Sequence, residues 1–427
     1  MTWANWAGNQ RCAPTAVEHP SSEDELAHVV KRAEAEGRTV KAVGAGHSFT
    51  DIACTEGVQL QLDRYCEVLD ADRATGQVTV EAGITLGRLN DLLWDMGLAL
   101  PNLGDIAYQS VAGAISTSTH GTGLALGGLA TQVVGLRVVT GDGSVVSCSA
   151  DDDADLFHAA RVGLGAVGLL STVTLQTVPA FNLRAVEEPM RMDAVLRDID
   201  RHAEENDHFE FYWVPHTGWA LTKRNNRTDD PVGGRGKVKE WVDRTLLENV
   251  AFGTVCRVGR WRPSLIPRLS KALPASGRTE YVNRSYRVFT SPRYVHFYEM
   301  EYSIPRDAAV DALRQVMAWV DASGLRLSFP VEVRFTAADD IWLSTANGGE
   351  RCYIAVHVYQ GMPYEQYFRG VESIMTPLGG RPHWGKLHFQ TADTLAPRYP
   401  DWDRFRAVRR RVDPEGRFSN AYLDRVL

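Results

Sequence analysis

Residues 110–123 read SVAGAISTSTHGTG. A stretch with so little side-chain mass adds little to a core, so its use is close approach of backbone to another group. Two further glycine turns lie in the first 170 residues: Gly44-Ala45-Gly46-His47-Ser48 and Gly163-Leu164-Gly165-Ala166-Val167-Gly168. Without a Cβ in the way, successive N–H groups converge on phosphate oxygens and accommodate a diphosphate without any lysine. Each turn alone also reads as a tight chain reversal; the three together point to a cradled ligand. The third matches GxGxxG, but it follows a helical segment and precedes a strand. A nicotinamide Rossmann fingerprint needs the opposite order and is excluded.

The pattern around these turns predicts mixed α and β structure. SSEDELAHVVKRAEAEG, from Ser21, reads as a helix with a serine start, acids in the first turn and a stripe of Leu26, Val29 and Val30, closed by Gly37. TVKAVGAGHSF is a short strand entering the first turn, TLGRLNDLLWDMG a second helix, and LALPNLGD a loop. VVGLRVVTGDGSVVSC reads as two strands joined by a Gly-Asp-Gly turn. DADLFHAARVGLGAVGLLSTVTLQTV reads as helix, glycine turn and buried strand. After Pro179 the texture changes to longer, aromatic-rich strands (FEFYWV, RYVHFYEMEYSIP, VEVRF, CYIAVHVY) with helices such as RDAAVDALRQVMAWVDASG, which predicts a second domain on an antiparallel sheet. Between them NNRTDDPVGGRGKVKE reads as a polar surface loop or partly disordered segment.

In PVEVRF, Glu332 and Arg334 share one strand face while Val331, Val333 and Phe335 share the other; in CYIAVHVY, Tyr353, Ala355, His357 and Tyr359 oppose Ile354, Val356 and Val358. Such a sheet lines either a pocket for a polar ligand or a solvated face with an internal ion pair. RPHWGKLHF places Lys386 and His388 on one side of a short strand, where Lys386 by itself reads as a solvated lysine. His47 is held beside whatever its turn cradles, and no HxxxH or HxH partner makes it a metal ligand. The sequence contains no GxSxG elbow, Walker lysine loop or HExxH.

The 427 residues predict two or three domains at roughly 150 residues each. A net charge of −7 provides no global positive field for a nucleic-acid backbone or anionic membrane, and no apolar run approaches the about 18 residues that span a bilayer. MTWANWAGNQRCAP has neither the basic start nor the apolar middle of a secretory signal, so a cytoplasmic location is expected. Cys12, Cys54, Cys66, Cys148, Cys256 and Cys352 form no CxxC pair and no zinc-type spacing, so they are expected to be reduced, with no metal site.

Together VGAGHSFTD, PNLGD, SVAGAISTSTHGTG, VGLGAVG, VEVRF, RPHWGK and RFSNAYL resemble, from Asn5 to Leu427, the aldonolactone oxidase and alditol oxidase branch of the vanillyl-alcohol-oxidase flavoproteins. The resemblance implies an α+β fold of two domains: an FAD-binding domain over 1–180, a substrate or cap domain over 181–399 with an antiparallel sheet, and a segment over 400–427 returning to the FAD domain. It implies FAD bonded covalently through the His47 ring. Gly44, Ala45, Gly46 and Ser48 would hold the diphosphate. Ser110, Gly113, Thr117, Ser118, Thr119 and His120 would form a second contacting loop, with Gly168 and Leu169 near the nucleotide and Gly104 facing the flavin. No cysteine lies between Cys66 and Cys148 to make a second covalent link.

The same resemblance implies Lys386, Arg334 and Glu332 as catalytic residues, and Asp105, Glu332, Arg334, His357, Tyr359 and Lys386 as substrate contacts. Hydride leaving a C–H leaves negative charge on the flavin, which fixed cations stabilise. Alditol oxidases carry serine where this chain has Asp105 and threonine where it has Tyr359. The expected reaction is therefore oxidation of a secondary hydroxyl of a sugar-1,4-lactone, such as L-gulono-1,4-lactone, to an ascorbate-type product, with oxygen or another electron acceptor. The alternatives are an alditol oxidase acting on a polyol such as xylitol, with hydrogen peroxide as co-product, and a flavin-free carbohydrate-binding protein on the same scaffold.

Overall fold

The computed structural model describes residues 2–234, 252–272 and 277–427. Among them, a parallel sheet of Ala16–Glu18, Val58–Gln61 and Val40–Val43 lies beside an antiparallel sheet ordered Val145–Ser149, Val133–Val139, Leu169–Gln176, Gln77–Glu81 and Val68–Asp72. The helix Glu23–Ala35 begins where Ser22 accepts a hydrogen bond from Glu25 N, and it buries Leu26, Val29, Val30 and Ala33. The GxGxxG segment follows the helix Ala154–Arg161 and precedes the strand Leu169–Gln176, the order that excluded a Rossmann site.

The other large unit is an antiparallel sheet of eight described strands. Its order is Thr279–Arg284, Asn182–Arg191, Trp219–Thr228, His208–Trp213, Val331–Thr336, Arg351–Tyr359, Phe297–Pro305 and Arg381–Pro382. Val331, Val333 and Phe335 pack with Ile354, Val356 and Val358 in one apolar core, beneath the helices Ala309–Ser323 and Glu365–Met375. Burying each such side chain is worth about 1.5–3 kcal/mol, which fixes the register and turns the intervening polar residues to the other face.

Two details differ from the sequence reading. Asn225 to Thr228 belong to the strand Trp219–Thr228, because their backbone pairs with Asn182–Ala185, and that of Asn225 also with His208; the part of that polar segment from 235 on lies outside the described residues. The strand expected from Arg293 begins only at Phe297. Residues 290–296 instead form an extended strap, in which Ser291 N donates to Asp105 O at 2.9 Å and His296 Nδ1 to Trp6 O at 2.9 Å.

A second core gathers residues from 26 to 175 with Ile341, Trp342, Leu343, Trp384 and the chain from Leu395 to Leu427. The C-terminal segment grips the approach to the first glycine turn. Val40 N donates to Arg417 O at 2.8 Å, the buried Lys41 ammonium donates to Phe418 O at 2.9 Å, and Asn420 Nδ2 donates to Cys54 O at 2.9 Å. No described helix is long and apolar enough to cross a membrane. All six cysteines are free, four of them buried.

Candidate active site

A cavity of about 850 Å³ lies where the glycine turns meet the polar face of the eight-stranded sheet. The turn after the strand Val40–Val43 is clasped on both sides. Trp6 N donates to Gly46 O at 2.8 Å, Asn5 Nδ2 to Ser48 O at 2.9 Å, and Phe49 N to Gly385 O at 2.7 Å. Gly46 has φ +68°, and a Cβ on Gly44 would fall 2.3 Å from Ser110 Oγ, so both positions require glycine. This clasp sets the His47 ring into the cavity wall between Trp6 (5.5 Å between ring centroids) and Tyr108 (5.8 Å). Burial pulls the His47 imidazole down to about 4, so the ring is neutral near pH 7, and its buried Nδ1 has no hydrogen-bond partner.

Ser110 caps the short helix Val111–Ser116 by accepting from Gly113 N at 3.2 Å, and Thr117 Oγ1 donates back to Gly113 O at 3.0 Å. The chain then turns through Ser118 at φ +64°, which brings Thr117, Thr119 and His120 onto the cavity wall while Ser118 Oγ faces Thr345 Oγ1 at 3.2 Å. Gly104 faces the same space; a Cβ there would meet His120 O and Thr119 Cγ2 at 3.3 Å.

From the sheet, registers Glu332↔Ala355, Arg334↔Tyr353, Glu299↔His357 and Glu301↔Ala355 align one polar face. Arg334 binds the Glu332 carboxylate, donates from Nε to Glu210 Oε2 at 2.8 Å, and lies 3.9 Å from Asp105. The Tyr212 hydroxyl sits 3.0 Å from Glu332 and 3.1 Å from Glu210. Arg293, on the strap, is bound to Asp105. Lys386 is bound to Glu299, whose other oxygen lies 3.4 Å from His357 Nε2. His120 Nε2 lies 3.3 Å from Glu301. Unpaired buried ions cost several kcal/mol each, so these partners are what permit so many charges in one place.

The charges shape one another. Burial pushes the Glu332 carboxyl up, helped by Asp105 and Glu210 and opposed by Arg334. Burial would also raise Glu299, but Lys386 and His357 outweigh it and hold that carboxyl at about 2. Burial works against the Lys386 ammonium, yet Glu299 and Glu301 raise it above its ordinary value. Burial would raise Asp105 as well, and Arg293 and Arg334 instead keep it ionised. The wall therefore offers lasting cations at Lys386, Arg293 and Arg334, and one carboxyl, Glu332, that burial shifts upward while its ion pair with Arg334 opposes the shift.

Of the residues singled out in the sequence, the cavity brings together His47, Ser48, Gly104, Asp105, Thr117, Thr119, His120, Glu332, Arg334, His357 and Lys386. Gly44, Ala45, Gly46, Ser110 and Gly113 stand behind this wall as its backbone support. Gly168 has φ +126° and no room for a Cβ, which would fall 2.3 Å from Val138 Cγ1; Leu169 opens a buried strand against Val139.

Two expectations are corrected. Tyr359 does not line the cavity: it ends its strand and carries Arg260 over its ring at 5.4 Å. Lys386 and His388 do not share a strand. The strand ends at Pro382, and Lys386 N donates to His383 O at 2.9 Å in a turn that sends Lys386 to Glu299 and buries His388 against Tyr422 OH at 3.1 Å. Nor is Lys386 a solvated lysine, since its ammonium is paired inside the cavity.

Sequence reading missed Glu210, Tyr212, Arg293, Glu299, Glu301 and His383, all on the cavity wall or bound to it. The alternation in FYEMEYSIP, which places Glu299 and Glu301 opposite the core residues Met300, Tyr302 and Ile304, carried a signal for two of them.

The residues fit an FAD in this space. A neutral histidine with an orphaned buried nitrogen sits on the wall, backed by turns in which added Cβ atoms would collide. Comparison with known proteins agrees. The FAD binding domain profile matches residues 14–149 and the D-arabinono-1,4-lactone oxidase profile residues 173–426. The chain is 47% identical over 426 residues to an L-gulono-1,4-lactone dehydrogenase of Mycobacterium tuberculosis, covering 100% of this chain and 99% of that one. It is 36% identical to the L-gulonolactone oxidase of Bos taurus, covering 100% and 98%. Among solved structures, a solvent-stable cholesterol oxidase superposes with a TM-score of 0.82 at 20% identity, covering 99% of this chain and 96% of that one. A cholesterol oxidase from B. sterolicum superposes with 0.83 at 17% identity, covering 99% and 96%.

Proposed function

The chain belongs to the D-arabinono-1,4-lactone oxidase family of FAD-dependent oxidoreductases, and from that premise we propose that it oxidises a secondary hydroxyl of a sugar-1,4-lactone of the L-gulono type to an ascorbate-type product. The observation that carries the reading is the convergence of His47 with Glu332, Arg334 and Lys386 on one cavity. We also read residues 1–180 with 400–427 as the unit that holds FAD and 181–399 as the cap over the substrate, with Ile341 to Leu343 and Trp384 anchoring the cap in the core shared by residues 26–175 and the C-terminal segment.

Bound FAD supplies a two-electron hydride acceptor. His47, neutral and with Nδ1 buried without a partner, is the residue that would bond it covalently, while the turns at 44–48 and 110–120 would hold the dinucleotide through backbone and hydroxyl groups. Lys386 and Arg334 hold positive charge where negative charge grows during hydride departure, and they are fixed before the reaction by Glu299 and by Glu210 and Glu332. Glu332 accepts a hydrogen bond from a substrate hydroxyl. Asp105, clamped by Arg293, presents a fixed acceptor where alditol oxidases have a neutral serine. That charge favours a compact ring over an extended polyol.

A steady-state comparison of L-gulono-1,4-lactone with xylitol, run with both oxygen and an artificial dye as acceptor, tests the assignment. Higher kcat/KM for the lactone is expected; a clear preference for xylitol would replace it with the alditol reading. Colourless protein from riboflavin-replete cells would favour the binding protein.

A further inference from the structure

Among the cavity residues, His357 is oriented in a way the roles above do not use. Its Nδ1 lies 3.2 Å from the carbonyl oxygen of Pro330. A carbonyl only accepts, so Nδ1 carries a hydrogen, and whenever the ring holds a single proton its lone pair is at Nε2. His357 lines the cavity with Glu299 and Glu332; its Nε2 is 3.4 Å from Glu299 Oε1, and one ring nitrogen of His357 with one oxygen each of Glu299 and Glu332 lie within 4.8 Å of one another. A separation of 3.4 Å is long for a hydrogen bond to a carboxylate, and it leaves a gap that a proton arriving at Nε2 would close.

Two other groups on this wall compete for that proton: Glu332, whose carboxyl burial raises, and His120, whose Nδ1 faces Gly121 O at 2.9 Å and whose Nε2 lies 3.3 Å from Glu301. Lys386 is held as an ammonium and Arg334 as a guanidinium, while Glu332 already accepts from Arg334 and faces the Tyr212 hydroxyl. His383 Nδ1 is occupied by Gly385 N at 3.1 Å. The charged groups facing His357 are Glu299 from the strand Phe297–Pro305, Glu332 from Val331–Thr336 and, through Glu299, Lys386; Phe297 and Phe329 pack the rest of the ring.

We propose that His357 accepts the proton of the substrate hydroxyl at Nε2, with Glu299 as the positioning residue that holds the imidazolium so formed. The proposal rests on the reading that a carbinol is oxidised in this cavity. The O–H bond breaks and an Nε2–H bond forms; the carbinol carbon is oxidised by two electrons to a carbonyl as its hydride passes to the bound FAD. The proton then leaves Nε2 for solvent.

The test has two arms. Histidine-labelled 15N protein, oxidised and without substrate, is compared with His357→Asn, which retains a donor toward Pro330 and deletes Nε2; His357→Gln serves if the first variant does not fold. The resonances lost from the wild-type spectrum above neutral pH are expected to be those of an Nδ1–H tautomer, and an Nε2–H tautomer overturns the proposal. In the second arm, anaerobic flavin reduction is followed against pH with whichever carbinol reduces the wild type. The variant should lose the acid limb and about 10²–10⁴-fold in rate, and Glu299→Gln should shift that limb. Retention of the limb in His357→Asn overturns the proposal, and its loss in Glu332→Gln then assigns the proton to Glu332. Failure of the lactone assignment would show separately, as a wild type reduced by a polyol and not by lactone.

Discussion

The guanidinium of Arg293 is bound to the carboxylate of Asp105, tying the strap that enters the eight-stranded sheet to the loop that carries Gly104. The contact joins two parts of the chain on the cavity wall, and Arg334 stands 3.9 Å from Asp105. Asp105→Ser removes the charge and leaves two guanidiniums facing one another. The variant should lose about 1–3 kcal/mol in urea unfolding, less than a fully buried pair because Arg293 still reaches water. Its KM for lactone should rise about tenfold or more, with polyol turnover gained; unchanged KM for both substrates would remove Asp105 from recognition.

His47→Ala should yield protein whose yellow colour is released by acid precipitation, while the wild type retains it in the pellet. Flavin that stays bonded in the variant would mean another residue is the anchor.

Lys386→Met keeps the side chain's length and removes the cation, leaving Glu299 and Glu301 without it. Anaerobic flavin reduction should slow by about 10²–10³-fold, with a much smaller change in thermal midpoint. Reduction at the parent rate would take Lys386 out of the mechanism.

Gly44→Ala should lower flavin content more than it lowers expression. Its Cβ would fall 2.3 Å from Ser110 Oγ, the cap of the next contacting segment, at a local cost of about 1–3 kcal/mol. Absorbance at the flavin band relative to 280 nm absorption reads the loss; normal loading would show that the turn has slack.

Acid should destabilise the fold in two stages. Burial pulls His383 and His388 down to about 3 from an ordinary 6.5, so the unfolded chain takes up those protons first and stability falls as pH drops below about 6.5. At pH 5.5 this amounts to about 1 kcal/mol for each ring. Glu299, at about 2 against an ordinary 4.5, adds stability above 4.5 that is lost as pH falls toward 2. Urea midpoints should fall steadily from pH 7 to pH 4 with an unchanged m value, and a rise anywhere in that range contradicts the assignment.

Much of this architecture was legible in the chain because the signals were local. The three glycine turns, the capped helix from Ser22, and the alternation that turns Glu332 and Arg334 away from Val331, Val333 and Phe335 each depend on residues within a few positions of one another. The Lys386–His388 strand failed for a local reason too: alternation suggested extended backbone, but the His383 carbonyl closes a turn that sends the two side chains in different directions. Tyr359 shares a face with His357 and is paired with the cavity residue Phe297, yet its own ring is stacked under the Arg260 guanidinium, a partner more than ninety residues away that no local pattern announces.

By itself, then, the order of residues determined which bends lack side chains, which histidine sits in the first of them, and which residues of each strand are polar-facing, since backbone sterics and the two-residue strand period act over short range. Tertiary structure alone decided the company those residues keep: Lys386 with Glu299, Arg293 with Asp105, and His357 with both Pro330 and Glu299. Those meetings depend on sheet register and on where a distant strap crosses, and a Coulomb interaction is set by the separation in space, which the spacing along a chain does not encode.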